Sequence, residues 1–446
     1  MKRKKGIKTF HLRNRFFLVG GIITVVYAVS FALKIILPFA HGLLILFFIT
    51  LLIDTLLLHL PNQGISGNRK TSRMWSLGDP NPIKIEVTSN FNLPVHLDIY
   101  DELPFQLQIR DFYQSVHLKP RETSQLSYSV SPKTRGMHSF GDLITLARTE
   151  IGFISRLIPI ESKNDIPTFP SIIQMKKYEL MAFAQTSNFE GIKKVRRLGH
   201  SYEFEQIKPY VQGDDIRSVN WKATGRRNQL MVNQYEDERS QQVYTVIDKS
   251  RNMHMPFDGL TLLDYAINTS LVLSNIIIKR HDKAGLISYS DTIGSTIKAE
   301  RRANQLKKIM QALYNEKAKP NDSNYDLLYR SIKNVVKSRS LIFLFLNFES
   351  TYNMERALPV LRKISKMHLL VVVVFENTEL QAYVHKNAEF MSDIYTQTMA
   401  QKLLLDKRNL VAKMRKYGIS TILSKPSELS INTVNKYLEL KSRGLI

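Results

Sequence analysis

Residues 340–375 read SLIFLFLNFESTYNMERALPVLRKISKMHLLVVVVF. Residues 340–347 and 369–375 are apolar runs of strand length, whereas residues 355–367 mix apolar and charged side chains as an amphipathic helix does. A strand that is apolar on both faces must be covered on both, so strand, helix, strand in this order predicts a parallel sheet between two helical layers. The pattern continues outward. Upstream, residues 262–278 carry helical periodicity, 284–289 read as a strand, and 303–313 and 325–336 as helices. Downstream, residues 388–446 read as mostly helical, with a candidate last strand at 420–423. The first strand of the series, 243–247, ends in Asp248-Lys249-Ser250-Arg251-Asn252. An acidic residue at the carboxyl end of a buried strand, followed at two-residue spacing by small polar side chains, is where an open α/β sheet places its binding site. Asp248 and Ser250 are therefore candidate site residues.

The chain has 446 residues, enough for two or three domains, and its 43% hydrophobic and 23% charged content is that of a globular protein. It contains no cysteine, which excludes disulfides, thiolate metal sites and cysteine nucleophiles. Its net charge of +24 calls for an anionic partner, either nucleic acid or an acidic bilayer face.

Where the charges sit favours the bilayer. A basic arm, residues 1–15, precedes two apolar runs at 16–37 and 39–60, each with about the 20 residues that cross a hydrocarbon core as a helix. The break at 34–38 is too short for a domain, so residues 16–60 read as a transmembrane helical hairpin. Arg69, Lys70 and Arg73 follow it, and basic residues on both flanks put both in the cytoplasm. The expectation is a multi-pass protein of the bacterial inner membrane with its soluble domains in the cytoplasm. Lys34 and Asp54 interrupt the apolar runs near their ends, where charges reach the interface, so no transport path is inferred.

Residues 79–160 alternate apolar and polar side chains, as in Ile83-Lys84-Ile85-Glu86-Val87, with turn residues between the segments. They predict a small all-β sandwich that acts as a spacer, and residues 171–446 form the α/β part.

The block 196–252 reads RRLGHSYEFEQIKPYVQGDDIRSVNWKATGRRNQLMVNQYEDERSQQVYTVIDKSRN. Within it, Glu203-Phe204 and Gly213-Asp214-Asp215-Ile216-Arg217-Ser218-Val219-Asn220-Trp221 resemble the domain-of-unknown-function fifty-eight family. The tail 435–446, and Arg135-Gly136 with Ile151-Gly152-Phe153, are similar to the same family. The resemblance implies a membrane-anchored protein with a von Willebrand factor A-like domain, often associated with a MoxR-type AAA+ ATPase. It also implies a metal-ion-dependent adhesion site holding Mg²⁺ or Mn²⁺ through an Asp-x-Ser-x-Ser loop, a Thr from a second loop and an Asp after a later strand. Asp248 and Ser250 match; Asn252 and Asn347 stand where a hydroxyl and a carboxylate belong, and Ser323 or Asn324 falls near the Thr position. Losing a carboxylate weakens the hold on a hard cation, so the site is expected to be degenerate.

Adjacent Asp214 and Asp215 make a poor acid/base pair, because neighbouring side chains diverge on a strand and tend to cap backbone N–H groups in a turn. Asp214, Asp215, Arg217 and Trp221 are expected to dock a partner, together with Asp248 and Ser250. The eleven histidines show no H-E-x-x-H spacing, and neither a G-x-S-x-G elbow nor a phosphate-binding loop occurs. Basic pairs such as Arg226-Arg227 and Arg301-Arg302 are scattered without aromatic interleaving, so anionic lipid headgroups are expected and nucleic acid is not. The reading is an adaptor for a MoxR-type AAA+ ATPase in assembly or remodelling of envelope or enzyme complexes; the alternative is a metal-dependent hydrolase using the Asp248 loop.

Overall fold

The apolar runs near the N-terminus form two helices. In the computed structural model of the chain, which describes residues 10–60, 64–110, 112–184, 203–212, 214–236, 240–348, 351–387 and 390–445, a short strand β1 (Phe10–Leu12) precedes α1 (Asn14–Ala32) and α2 (Leu37–His59). At 1.5 Å per residue the helices rise about 28 and 34 Å, enough for a bilayer core. Only 11% of each apolar window is buried within the protein, and Phe31 and Ile35 are 91% and 93% exposed. Neither helix is a core helix; both are candidate membrane helices.

The chain divides into two compact units, Met1–Ser171 and Ile172–Ile446. In the first, the alternating region gives β2 (Ile65–Thr71), β3 (Trp75–Ser76), β4 (Asn81–Ser89), β5 (Val95–Asp101), β6 (Tyr113–Leu118), β7 (Thr123–Val130), β8 (Gly136–Phe140), β9 (Leu143–Arg148), β10 (Ile154–Ile160) and β11 (Asn164–Phe169). They build sheets of order β1-β10-β9-β5-β6, β2-β4-β7 and β3-β11-β8. The inward side chains of the first two sheets, among them Ile85, Val87, Leu97, Ile99, Leu143 and Ile154, share one core.

Three polar residues differ from their sequence reading. Arg69 is not a membrane flank: it is buried in β2, where its guanidinium donates to the Asp101 carboxylate at 3.1 Å and lies over the Phe140 ring. Asp54 does not reach for water. It is buried in α2, and its carboxylate accepts the backbone N–H groups of Phe153 (3.0 Å) and Ile154 (3.1 Å) and the hydroxyl of Thr149. The end of the basic arm is sheet: β1 pairs with β10, and Arg13 reaches Asp98 at 3.3 Å. Strand pairing also starts ahead of the alternation at residue 79, since β2, ISGNRKT, buries only Ile65 and Arg69 and looks polar as a sequence.

The second unit contains α3 (Ile172–Ala184), β12 (Glu203–Pro209), α4 (Trp221–Arg227), β13 (Met231–Glu236), β14 (Gln242–Asp248), β15 (Pro256–Phe257), β16 (Leu260–Thr261), α5 (Leu262–Lys279), β17 (Lys283–Tyr289), β18 (Ile293–Glu300), α6 (Gln305–Asn315), α7 (Tyr325–Val335), β19 (Leu341–Leu346), α8 (Thr351–Met367), β20 (Leu369–Phe375), α9 (Thr378–Val384), α10 (Met391–Lys416), β21 (Ser420–Ser424) and α11 (Leu429–Ser442). Six strands form a mixed sheet in the order β18-β17-β14-β19-β20-β21, parallel except for β18 at the edge. Its two faces explain the apolar strands. Val243, Ile247, Phe343, Phe345, Val371 and Val373 pack in one core with Leu271 of α5 and Tyr437 of α11. The alternate side chains Val246, Ile342, Leu344 and Val372 pack in a second core with Leu328, Leu361 and Met414 from α7, α8 and α10. At about 25 cal/mol per Å² of apolar surface removed from water, these two cores are the main stabilising contribution to the unit.

Candidate functional site

In the six-stranded sheet, the chain leaves β14 for β17 on one side and later returns to β19 on the other. The carboxyl ends of β14 and β19 therefore flank the point where strand order reverses, the crevice in which open α/β sheets bind ligands. Asp248 is the last residue of β14 and Asn347 follows β19.

Asp248 is fully buried. One carboxylate oxygen accepts the Ser250 backbone N–H at 2.9 Å, and the other accepts the hydroxyls of Ser250 (3.0 Å) and Ser323 (2.6 Å). Burial raises its pKa to about 6; the hydrogen bonds from Ser323 and Ser250 oppose this, and the charge of Asp322 adds to it. Asp322 is itself paired with Arg251 at 2.8 Å. Of the two residues that fell near the second-loop position, Ser323 faces Asp248, while Asn324 caps α7 by accepting the Leu327 N–H at 3.0 Å.

Asn252 and Asn347 are both buried, and the Asn347 side-chain amide donates to the Asn252 carbonyl at 3.2 Å. The Asn347 side-chain oxygen accepts from the Lys407 ammonium of α10 at 2.8 Å. The side-chain oxygen of Asn252 is buried with no hydrogen-bond partner among the described residues. Asn347 and Lys407 line a cleft of about 340 Å³, with Phe257, Leu262, Phe375 and Leu403 as apolar walls. Next to Asp248, Lys249 forms a buried pair with Glu316 at 2.8 Å. Burial pushes the Glu316 carboxyl up, but hydrogen bonds from Lys249, Ser288 and Ser295 outweigh it and leave the pKa below its ordinary value.

This donor set does not fit Mg²⁺ or Mn²⁺. Asp248, Ser250 and Ser323 provide one carboxylate and two hydroxyls, but hard divalent ions need more anionic oxygen. Asn252 and Asn347 add neutral amides, and the Lys407 ammonium brings a positive charge to the position a second carboxylate would hold.

The other predicted residues lie in the connection between β12 and β13, which pair as a separate two-stranded sheet. Asp214 accepts from the Lys208 ammonium (2.7 Å) and the Val211 N–H (3.0 Å), and Asp215 accepts the Arg217 N–H at 2.9 Å. Both carboxylates thus hold their own loop. Trp221 begins α4 and is 72% exposed. Asn220 caps that helix through the Ala223 N–H at 3.0 Å and, with Lys222, Arg226 and Arg227, lines a basic depression. Gly213 and residues 196–202 lie outside the described residues.

Lys407 had no signal in the sequence, since it is one of many charges on a long helix. Ser323 had a weak one, as a hydroxyl just ahead of the α7 cap.

A family model described as "Protein of unknown function DUF58" matches residues 206–383. The "Uncharacterized protein YeaD" of Bacillus subtilis (strain 168) is 23% identical over 129 residues, which is 29% of this chain. The chain spans only about a third, 32%, of that relative's length. Among solved structures, the CARDB domain of a Pyrococcus furiosus protein is similar over 24% of this chain and 94% of its own, at 12% identity and a TM-score of 0.17. Proximal thread matrix protein 1 from the mussel byssus is similar over 45% of this chain and 46% of its own, at 11% identity and a TM-score of 0.27.

Proposed function

We propose that this is a membrane-anchored adaptor whose α/β unit is von Willebrand factor A-like and docks a partner protein at the carboxyl edge of its sheet. The observation that carries the reading is the Asp248 constellation. It lies at the strand-order switch point, where Ser250 and Ser323 both donate to the buried Asp248 carboxylate, and Asn347, just after the neighbouring strand β19, lines an apolar cleft with Lys407. The von Willebrand A-like assignment is supported by the strand order with its single antiparallel edge strand and by the hydroxyls of Ser250 and Ser323 on Asp248. The partner is a MoxR-type AAA+ ATPase, on the strength of the resemblance in residues 203–221, and the pair acts in assembly or remodelling of envelope or enzyme complexes.

Two membrane helices in hairpin form anchor the protein, and the β-rich region is a sandwich spacer. The pairing of β1 with β10 supports an even number of crossings, because it holds the chain before α1 and after α2 on one side. The basic residues that remain on the flanks, Lys70 and Arg73 with those of the N-terminal arm, favour the cytoplasm for that side. Asp214, Asp215, Arg217 and Trp221 form a second contact, with the exposed indole as its anchor.

The test is affinity capture of the full-length protein from solubilised membranes, with the wild type and Lys407→Glu run in parallel. Recovery of an AAA+ ATPase by the wild type and at about tenfold lower yield by the variant is expected, a charge reversal costing on the order of 1.4 kcal/mol. Absence of any AAA+ ATPase, or equal recovery by both, overturns the proposal.

A further inference from the structure

We infer that His96, His117 and Glu150 form a second, separate site on the outward face of the five-stranded sheet, one that takes a late first-row divalent metal such as Zn²⁺. The two histidines are 21 positions apart in the chain, but β5 and β6 pair with His96 directly opposite His117. Val95, Leu97 and Ile99 of β5 point into the core, which turns His96 outward. The two rings stand with centroids 4.5 Å apart. Glu150 comes from the turn between β9 and β10, and β9 is the neighbour of β5 on its other side. Its carboxylate oxygen lies 3.1 Å from His96 Nε2 and 3.7 Å from His117 Nδ1.

These separations have the size of a coordination polyhedron. With metal–ligand bonds of about 2.1 Å, neighbouring donors around a tetrahedral centre lie about 3.4 Å apart. The two measured edges straddle that value. All three donor atoms lie within 4.8 Å of one another, a span that side-chain rotation closes. An ion pair with Glu150 needs one imidazole; two, set in register against one carboxylate, make a three-donor set.

The frame around the donors is fixed. Asp54 accepts the Phe153 and Ile154 N–H groups at the end of the turn, and the Arg15 guanidinium donates to the carbonyls of Glu150 (2.9 Å) and Ile151 (3.3 Å). Arg148, opposite His96 on β9, has its cationic head turned to Asp98 at 3.9 Å. Two imidazoles and a carboxylate favour zinc, copper, nickel or iron over magnesium and calcium. The side chains are 35%, 45% and 63% exposed, so a bound ion keeps at least one position open to water or to a donor from a partner. The chain has no cysteine to compete for it.

The full-length protein in detergent, stripped with chelator and dialysed, is titrated with Zn²⁺ by calorimetry. About one tight equivalent per chain is expected, and His117→Gln and Glu150→Gln should each weaken it by at least about tenfold. Asp248→Asn serves as the control and should leave the affinity unchanged. All of the varied groups in this site are partly exposed, and the metal-free melting temperature of each variant reports its fold independently. Wild type that takes up no Zn²⁺, a His96→Gln/His117→Gln double variant that binds as the wild type does, or loss of binding in Asp248→Asn alone overturns the assignment.

Discussion

Asp248 is held by Ser250 and Ser323 in a setting where the charged form is disfavoured, and this makes it a source of pH-dependent stability. Its pKa rises from 3.8 to about 6 on folding. An acid with a raised folded-state pKa binds its proton more tightly when folded, so its contribution is greatest below the unfolded value and declines as pH rises towards the folded one. Between pH 4 and pH 6 the loss amounts to roughly 2 kcal/mol. Asp248→Asn removes this dependence while other titrating groups cancel in the comparison. The variant should therefore gain stability relative to wild type as pH rises from 4.5 to 7.5, read from paired thermal melts, and a constant difference would refute the raised pKa. The Lys407 ammonium next to Asn347 makes a second expectation at the same site. Added Mg²⁺ at millimolar concentration should leave the wild-type melting temperature unmoved. The combination Asn252→Ser, Asn347→Asp and Lys407→Ala, which restores hydroxyl and carboxylate and removes the resident charge, should gain a Mg²⁺-dependent rise. Equal responses would mean that the native donors suffice.

The helix α2 meets the β-rich region through apolar packing, with Leu58 in its core and Phe47 against Phe153, and through the buried carboxylate of Asp54. Asp54 satisfies two backbone N–H groups and a hydroxyl in the turn that follows β9, so Asp54→Ala leaves three buried donors without an acceptor. Each orphaned group costs about 1–3 kcal/mol, and a total of about 3 kcal/mol or more is expected. Trp75, buried in the same unit, reports this unfolding once the exposed Trp221 is replaced by Phe; an unchanged denaturation midpoint would show that the tie carries no weight. Asp54 also illustrates what pattern reading reaches. Its place near a helix end was legible; its partners, some 95 to 100 residues away, were not. The strands β14, β17, β19 and β20 were legible because both faces are buried, which leaves them mostly apolar, and β21 only as a short segment around Ile422 and Leu423. The edge strand β18, with Ser295, Thr296 and Lys298 among its residues, was missed because only one face is covered. The same limit hid β2 and the His96–His117 pairing, since register is set by tertiary contact and leaves no local signal. At the sheet edge, Asp248 and Ser250 could be found from spacing alone, whereas Lys407 lies 60 residues beyond Asn347 on a helix full of charges.

The position of both soluble flanks follows from pairing between distant parts of the chain. β1 comes before the two apolar helices and β10 well after them, yet Phe10, His11 and Leu12 pair with Arg156, Ser155 and Ile154. If α1 and α2 cross a bilayer, this ladder requires that they cross it as a hairpin, with the turn Lys34–Ile36 on the far side. A single crossing would tear three residue pairs apart across about 30 Å of hydrocarbon. Since the chain contains no cysteine, one introduced thiol reports its own side without background. Lys34→Cys lies in the turn, and Ser338→Cys lies in the α/β unit, just before β19. With the flanks in the cytoplasm, a membrane-impermeant maleimide added to intact cells lacking an outer membrane, or to spheroplasts, should label the cysteine at 34 and reach the cysteine at 338 only after permeabilisation. Labelling of both from outside would mean that the helices do not form a barrier between them. The reverse pattern would keep the hairpin but place the β-rich and α/β units outside the cell, where they could not meet a cytoplasmic AAA+ ATPase; the adaptor reading would then fail while the sheet pairing stood.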